Sequence, residues 1–338
     1  MKTNFILVAS IIAAFSSGGC ATKENFDFKV TVVPQTSVSV TSLSDMNKAA
    51  DVINKRLEYF FSIPQKRIKF DVSENKISVS VTKIDTGKID LIKDVITGYK
   101  KLEFWETYEN GEIMGYLTKA NNMLKDIQTT HEDAGRVKTA EATTREEFTE
   151  QNSLFGILNP RVTAQGEPLP SCMIGLVSGK DTSDINKYFK MDQIKVLFPP
   201  DVKFYWSKNP HRYDPSKSLY ELHAIKVTTS DKRAPLDGSV IISAKPTTGS
   251  ADSGVKIDLM MDSEGARTWA KITRENINRC IAVVYDGFVR SYPRVMSEIS
   301  GGSTEITGDF TIEEASDLAN ILKSGELPFE LKIVEAQQ

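Results

Sequence analysis

Between residues 26 and 108 the sequence alternates strand-like and helix-like patterns in an order that leaves few topologies open. The strand patterns are short apolar-polar alternations, and the helix patterns repeat an apolar residue every three or four positions. The strand-like runs are FDFKVTVV, RIKFDV, KISVSV and KLEFWETY. One helix pattern, with Ser44 as its expected N-cap, follows the first run, and a second precedes the last. The apolar stripe of the first helix is Ala49, Ile53, Leu57 and Phe60. The order β-α-β-β-α-β predicts a ferredoxin-like α+β arrangement, with two helices on one face of an antiparallel sheet.

The patterns are less regular from residue 109 to 235 and become clear again from residue 236. The run IAVVYDGFVRSYPRV predicts two strands joined by Asp286-Gly287, the dipeptide that a type I′ hairpin favours. Thr311 and Glu314 form a predicted capping box at the start of a helix, and Gly325 is placed to end it. The run EISGGSTEITG before that helix is interpreted as turns and loop. The last residues, 327–336, predict a final strand.

The bulk composition argues against several classes of function. The 338 residues carry 42 basic and 45 acidic side chains, a formal net charge of −3, and Lys and Arg are not concentrated in any stretch. No nucleic-acid partner is therefore expected. The three histidines lie in unrelated contexts, and no Gly-rich phosphate loop or nucleophile with an adjacent base is evident. We expect no catalytic residue, no metal site and no cofactor.

The N-terminus has the pattern of a bacterial export signal. Lys2 supplies a positive charge, an apolar run too short to span a bilayer follows, and small residues precede Cys20. This pattern predicts a signal peptide at residues 1–19, lipid attachment at Cys20 and a tether at 20–26. The protein would then lie in the cell envelope and face the periplasm, anchored to the outer or inner membrane. An ordinary signal peptide cleaved nearby is the alternative.

The two remaining cysteines, Cys172 and Cys280, allow one disulfide in an oxidising compartment. Cys280 leads directly into an apolar strand pattern, which favours two buried thiols instead. Both alternatives stay open on the sequence alone.

The C-terminal motifs resemble those of a known family. The elements MDSEGARTW, TREN, the Asp-Gly hairpin, GGSTEITG and FTIEEASDLANILKSGELPF occur here in order. Together they resemble the end of the first large periplasmic domain of SecD, the bacterial protein-translocase subunit, or of its fused form SecDF. KLEFWETYEN and the strand runs before it resemble the earlier part of that domain. The resemblance covers nearly all of residues 27–336.

The resemblance implies a ferredoxin-like base at residues 27–108, completed by the final strand at 327–336. An α+β head at 109–326 would be inserted between them. Because the sequence stops after that strand, the expectation is a free-standing, lipid-anchored copy of the domain, without proton transport of its own. Its implied partners are unfolded or translocating polypeptide and Sec translocase components. A structural or adapter lipoprotein of an unrelated envelope complex is the alternative.

A candidate peptide-binding face lies in the second strand of the predicted hairpin. If that strand alternates regularly, Phe288, Arg290, Tyr292 and Arg294 share one face, and the intervening residues share the other. Aromatic rings and guanidinium groups on an open face could hold an extended polypeptide without reading its sequence. The alternative is that the inserted segment covers Phe288 and Tyr292.

Overall fold

The computed structural model describes residues 27–35, 42–133, 154–248, 254–308 and 310–337. The predicted signal peptide, Cys20 and the tether at 20–26 lie outside these ranges. None of the helices within them has both the length and the apolar content that crossing a bilayer demands.

The described residues form a mixed α+β structure. Its helices are α1 (Leu43–Phe61), α2 (Ile89–Thr97), α3 (Asn110–Asp133), α4 (Thr182–Lys190), α5 (Asp192–Lys195), α6 (Ser263–Glu275) and α7 (Ile312–Ser324). Its strands are β1 (Phe28–Pro34), β2 (Ile68–Val72), β3 (Ile77–Val81), β4 (Leu102–Thr107), β5 (Leu158–Pro160), β6 (Met173–Ser178), β7 (Val202–Trp206), β8 (Leu219–Lys226), β9 (Leu236–Asp237), β10 (Ile241–Thr248), β11 (Val255–Met261), β12 (Ile281–Tyr285), β13 (Phe288–Ser291), β14 (Ser303–Thr307) and β15 (Leu331–Gln337).

The first sheet has the strand order β15-β1-β3-β2, and its pairs are antiparallel. Helices α1 and α2 contribute to the apolar core that this sheet shares. Ala49, Ile53 and Leu57 of α1 are fully buried in it, as the helical spacing predicted. The N-cap of α1 is Ser42 rather than the expected Ser44, and its side chain accepts a hydrogen bond from the backbone N–H of Asp45.

The prediction that KLEFWETY completes this first sheet is wrong. Its strand, β4, pairs with β12 and β8, and β15 occupies the position beside β1 instead. Phe104 is buried in the core that lies against α6 and α7, and Trp105 is buried in a second cluster. Because β4 carries large buried side chains on both faces, it needs a central position in a sheet.

Two further sheets contain the remaining strands. An eight-stranded sheet has the order β13-β12-β4-β8-β6-β5, with β7 added to β8 and β9 added to β4. A three-stranded sheet has the order β10-β11-β14. The run EISGGSTEITG is therefore not all turn and loop: five of its residues form β14, which pairs antiparallel with β11.

Several local predictions are confirmed. Asp286 and Gly287 both have positive φ, 55° and 77°, as a type I′ turn requires. The capping box of Thr311 and Glu314 is present at the start of α7. Cys172 and Cys280 are both buried free thiols in this structure.

Candidate functional site

The hairpin of β12 and β13 carries the four residues that the sequence predicts to bind peptide. Strand β13 lies at one end of the eight-stranded sheet, with β12 as its ladder partner. On its other side, Val289 forms an isolated bridge with Ser207, and its carbonyl accepts a hydrogen bond of 3.0 Å from the N–H of Lys208. This side of the strand is thus partly covered by the segment that follows β7.

A β-bulge interrupts the hairpin ladder at Arg290. Val289 pairs with Val284, and the next pair is Ser291 with Val283, so that Arg290 is the extra residue. A bulge shifts the alternation of side chains by one position and redirects the residues around it. The residues before and after Arg290 therefore do not keep one common face.

The predicted common face of Phe288, Arg290, Tyr292 and Arg294 is wrong for this reason. Tyr292 packs against the same apolar cluster that buries Val289, although regular alternation would place these two residues on opposite faces. Of the two aromatic rings proposed to contact a peptide, the ring of Tyr292 already packs against other residues of the fold. The binding role of the four residues stays a prediction.

The two ends of the predicted face are more accessible. Phe288 is 38% exposed, and the Nζ of Lys208 lies 4.9 Å from the centre of its ring. The guanidinium of Arg294 donates to the carbonyl oxygen of Asn278 and lies 3.3 Å from a carboxylate oxygen of Glu109. Arg294 therefore already has partners within the fold, whereas Phe288 remains available for apolar contact.

Arg290, the bulged residue, is held against the start of α7. Its side chain is only 9% exposed, and its guanidinium lies 5.0 Å from the centre of the Phe310 ring. Its Nη2 is 3.6 Å from Oε1 of Glu314, which is an ion pair but too long for a strong hydrogen bond. Its buried Nε has no hydrogen-bond partner.

Two cavities lie beside the hairpin and the segment after it. The first, of about 470 Å³, is lined by Lys208, Arg290 and Tyr292 among others. The second, of about 600 Å³, is lined by Met296, which is 78% exposed, and by neighbouring residues. Pro293 lines both, so the cavities adjoin, and together we call them the β14 cleft.

Strand β14 borders this cleft along its length. Thr307 and Gly308 line the first cavity, and Ser303, Thr304 and Glu305 line the second. Within the ranges that the structure describes, β14 pairs only with β11 and forms the end of its sheet. An edge strand presents unpaired backbone N–H and C=O groups, which are a template for another extended strand.

A glycine is needed where β14 ends. A Cβ on Gly308 would come within 3.0 Å of the carbonyl oxygen of Arg290 and 2.9 Å of the Phe310 ring. This close approach leaves no room for a side chain at position 308.

A buried carboxylate forms part of the cleft wall. Glu221 is 7% exposed, and its oxygens lie 2.5 Å from His211 Nδ1 and 3.3 Å from His223 Nε2. The hydroxyl of Tyr292 also hydrogen-bonds to it. Burial alone would raise the pKa of Glu221, but the hydrogen bond and charge of His223, together with the hydrogen bonds of His211 and Tyr292, outweigh it and lower the pKa to about 2. Burial, together with this carboxylate, raises the pKa of the Tyr292 hydroxyl well above its usual range.

This network does not amount to a metal centre. Both carboxylate oxygens of Glu221 are already contacted by an imidazole ring. Across the described ranges, no group of three or more His, Cys, Asp or Glu side chains is arranged to hold a metal ion. The arrangement suits a polar wall of a binding cleft.

The sequence prediction missed β14, Lys208, Glu221 and Met296 as parts of this site. A usable signal existed for β14, because STEIT is a short run rich in β-branched residues and bounded by Gly302 and Gly308. No local pattern signals the other three, since they meet the hairpin only through tertiary packing.

Comparison with known proteins identifies similar sequences. Residues 217–329 match the family described as the SecDF P1 head subdomain. The protein is 33% identical over 186 residues to protein translocase subunit SecD of Rhodothermus marinus, covering 55% of this sequence and 28% of that protein. It is 29% identical over 234 residues to SecD of Syntrophobacter fumaroxidans, covering 64% of this sequence and 43% of that protein. The sequence thus spans less than half the length of these curated relatives.

Solved structures with the same fold come from SecDF. One, described as a membrane component that enhances protein export, matches with a TM-score of 0.50 and 19% identity, covering 92% of this protein and 99% of that one. A crystal structure of SecDF in a super-membrane-facing form matches with a TM-score of 0.50 and 18% identity, covering 91% of this protein and 30% of that one. At this level of identity the likeness establishes the fold alone.

Proposed function

Because this protein has a SecD-like periplasmic domain, we propose that it is a non-catalytic module that binds extended polypeptide, unfolded or translocating, along the β14 cleft. The observation that carries this proposal is the position of β14, an edge strand bordered by two adjoining cavities. A bound polypeptide would add to the sheet beside β14 by backbone hydrogen bonds, a mode that tolerates almost any sequence.

The dimensions of the cleft suit a short extended segment. Five residues of β14 extend about 17 Å at the usual rise per residue. Met296 lines the second cavity and offers an apolar contact there, and Phe288, which is 38% exposed, directly precedes the residues that line the first. The affinity should be weak, on the order of micromolar or weaker, because a flexible polypeptide must be ordered when it binds.

Backbone N-methylation tests the binding mode without changing the protein. The full-length protein would be titrated with three forms of an unstructured ten-residue peptide. One is unmodified, one is N-methylated at the odd-numbered positions and one at the even-numbered positions; these are the two registers. Loss of binding in one of the two registers supports strand addition, because that register removes the donors facing β14. Equal binding by all three peptides contradicts it.

A matched pair of protein variants locates the site. Met296→Asp places a charge in the cleft, and Val196→Asp places the same charge on a residue of similar exposure, 77%, that does not line it. We expect the first variant to weaken peptide binding several-fold and the second to leave it unchanged. Equal effects would move binding away from the cleft.

We propose a ferredoxin-like base with a different boundary from the one the sequence predicted. The order β15-β1-β3-β2, with α1 and α2 in its core, supports β15 as the fourth strand of this base. The base would then comprise residues 27–98 and 327–337. Residues 101–326 would form the head.

We also propose that a lipid on Cys20 anchors the protein to a membrane. The support is the sequence pattern of residues 1–20. Changing Cys20 to Ser should release the protein from membrane fractions, and Ala21→Ser should leave it there. Retention of the Cys20→Ser variant after a salt wash would contradict the anchor.

The partner at the membrane is proposed to be the protein translocase, since the curated relatives are translocase subunits. Crosslinking in cells, followed by identification of the adducts, tests this. Recovery of translocase components or unfolded clients supports the proposal. Recovery of a different envelope assembly, together with no peptide binding in titration, favours the adapter alternative.

A further inference from the structure

The first cavity of the β14 cleft has a cationic wall. Its lining includes Lys208, Arg212 and Arg290, and Glu221 is the one carboxylate among the lining residues that the structure describes. Both oxygens of Glu221 are contacted by His211 and His223, so both already have partners within the fold. The cavity therefore favours an anionic occupant.

Two buried donors on this wall lack an acceptor. The Nε of Arg290 and the Oγ of Ser291 are both buried without a hydrogen-bond partner, and both residues line the cavity. Both belong to the run 289–293, all of which lines the cavity and which contains the β-bulge at Arg290. A buried donor left unpaired is unfavourable, and an acceptor supplied by a ligand would remove that cost.

Glu314 does not accept a hydrogen bond from the Nε of Arg290. Its Oε2 accepts a 3.0 Å hydrogen bond from the N–H of Thr311, because it closes the capping box of α7. Its Oε1 stays 3.6 Å from Nη2 of Arg290. The guanidinium thus lies between Glu314 and the ring of Phe310, and its Nε, which is buried, has no acceptor within the fold.

We propose that this cavity is a carboxylate subsite, in which the side chains of Arg290 and Ser291 turn toward the cavity and donate to a carboxylate of the bound polypeptide. The carboxylate comes from an Asp or Glu side chain or from the C-terminus of the polypeptide. Lys208 and Arg212, which are exposed, add longer-range attraction. The inference rests on the proposed polypeptide binding and specifies which polypeptides bind best.

Peptides with single changes test the subsite on the unmodified protein. The unstructured peptide would carry one central Glu, or Gln in its place, each with a free or an amidated C-terminus. A gain on the order of 10-fold for Glu over Gln, or for the free over the amidated C-terminus, supports the subsite and identifies the source. Equal binding by all four overturns the subsite while leaving the proposed function intact. Failure of all four to bind overturns both.

Variants then assign the preference to Arg290. Arg290→Lys keeps the charge but removes the Nε donor, and Ser291→Ala removes the hydroxyl. Arg233→Lys is the matched control, because its side chain is 81% exposed and does not line the cavity. We expect the preference for carboxylate to fall several-fold in the first two and to persist in the control. A preference that persists in Arg290→Lys and Ser291→Ala, with folding verified by circular dichroism, places the carboxylate elsewhere and overturns the assignment.

Discussion

Arg56 and Arg290 are both arginines with almost fully buried side chains, yet their surroundings differ. Arg56 is 0% exposed in the core beneath the first sheet, and its Nη1 donates to the carbonyl oxygens of Val95, at 2.9 Å, and Gly98, at 2.7 Å. These carbonyls lie at the end of α2, where helices lack internal donors. Arg290 instead lines a cavity, and its ion pair with Glu314 is 3.6 Å long.

An unpaired nitrogen is not what separates the two residues. Arg56 keeps its Nε and Nη2 without partners, as Arg290 keeps its Nε. The two residues differ in whether the guanidinium donates to backbone carbonyls and in whether a cavity lies beside it. Arg56 donates to carbonyls at the end of α2 within a packed core, which makes it a stabilising residue. Within the described ranges Arg290 donates to no backbone carbonyl, and it lines a cavity with space for a ligand, which makes it a candidate binding residue.

The largest effect should come from the core that contains Arg56. Deleting residues 327–337 removes β15 from its place beside β1 and exposes the edge of that sheet. The loss should be at least about 4 kcal/mol, a large share of the stability of a typical domain. Thermal unfolding of the deletion variant checks this, and an unchanged midpoint would contradict the pairing of β1 with β15.

Replacing Arg56 itself should have the next largest effect. Arg56→Met keeps most of the apolar stem but leaves the carbonyls of Val95 and Gly98 without their donor. We expect a loss of about 2–3 kcal/mol in the free energy of unfolding. Urea denaturation measures it. A loss below that of Arg290→Met would reverse the distinction drawn between the two arginines.

Glu326, which lies just after α7, makes the stability of the fold depend on pH. Burial, reinforced by the charge of Asp237, raises the pKa of this carboxyl from 4.5 to about 7. Because this carboxyl ionises at lower pH in the unfolded state than in the folded state, the fold loses stability as the pH rises from about 4.5 through 7. Glu326→Gln should therefore be more stable than the parent by roughly 1–2 kcal/mol at pH 8, after allowance for solvent screening. At pH 4 the two should melt alike, and a pH-independent difference would contradict the raised pKa.

The smallest effect on stability should come from Arg290→Met. This change removes a long ion pair and a contact with the Phe310 ring but leaves no backbone group unpaired. The free energy of unfolding should change by less than about 1 kcal/mol. The same denaturation experiment as for Arg56→Met measures it, and a loss above about 2 kcal/mol would show that Arg290 is mainly structural.

The sequence correctly predicted the features that depend only on residues close together along the chain. Asp286-Gly287 imposes its turn through backbone preference, Thr311 and Glu314 cap a helix three residues apart, and Gly325 ends it with a φ of 85°. The spacing of Ala49 and its neighbours likewise predicted the buried face of α1. These features need no knowledge of how the other segments pack.

The sequence did not predict which sheet β4 joins or the shape of the site. The pattern of β4 fits any sheet with two covered faces, and its partners β12 and β8 are distant in sequence. The bulge at Arg290 changes the orientation of side chains without any Gly or Pro to signal it. The cleft depends on this bulge and on the position of β14, so it could not be derived from the alternation of residues in the hairpin alone.

The pairing of β1 with β15 has a consequence for the order of assembly. Val30 and its partner Ala336 are roughly 300 residues apart, so β1 must wait until β15 has been made before it finds this neighbour. During synthesis or export from the N-terminus, that edge of β1 remains open to other strands. Closure of the first sheet is therefore a late step, and a nascent or prematurely ended polypeptide would be the form most exposed to mispairing and proteolysis.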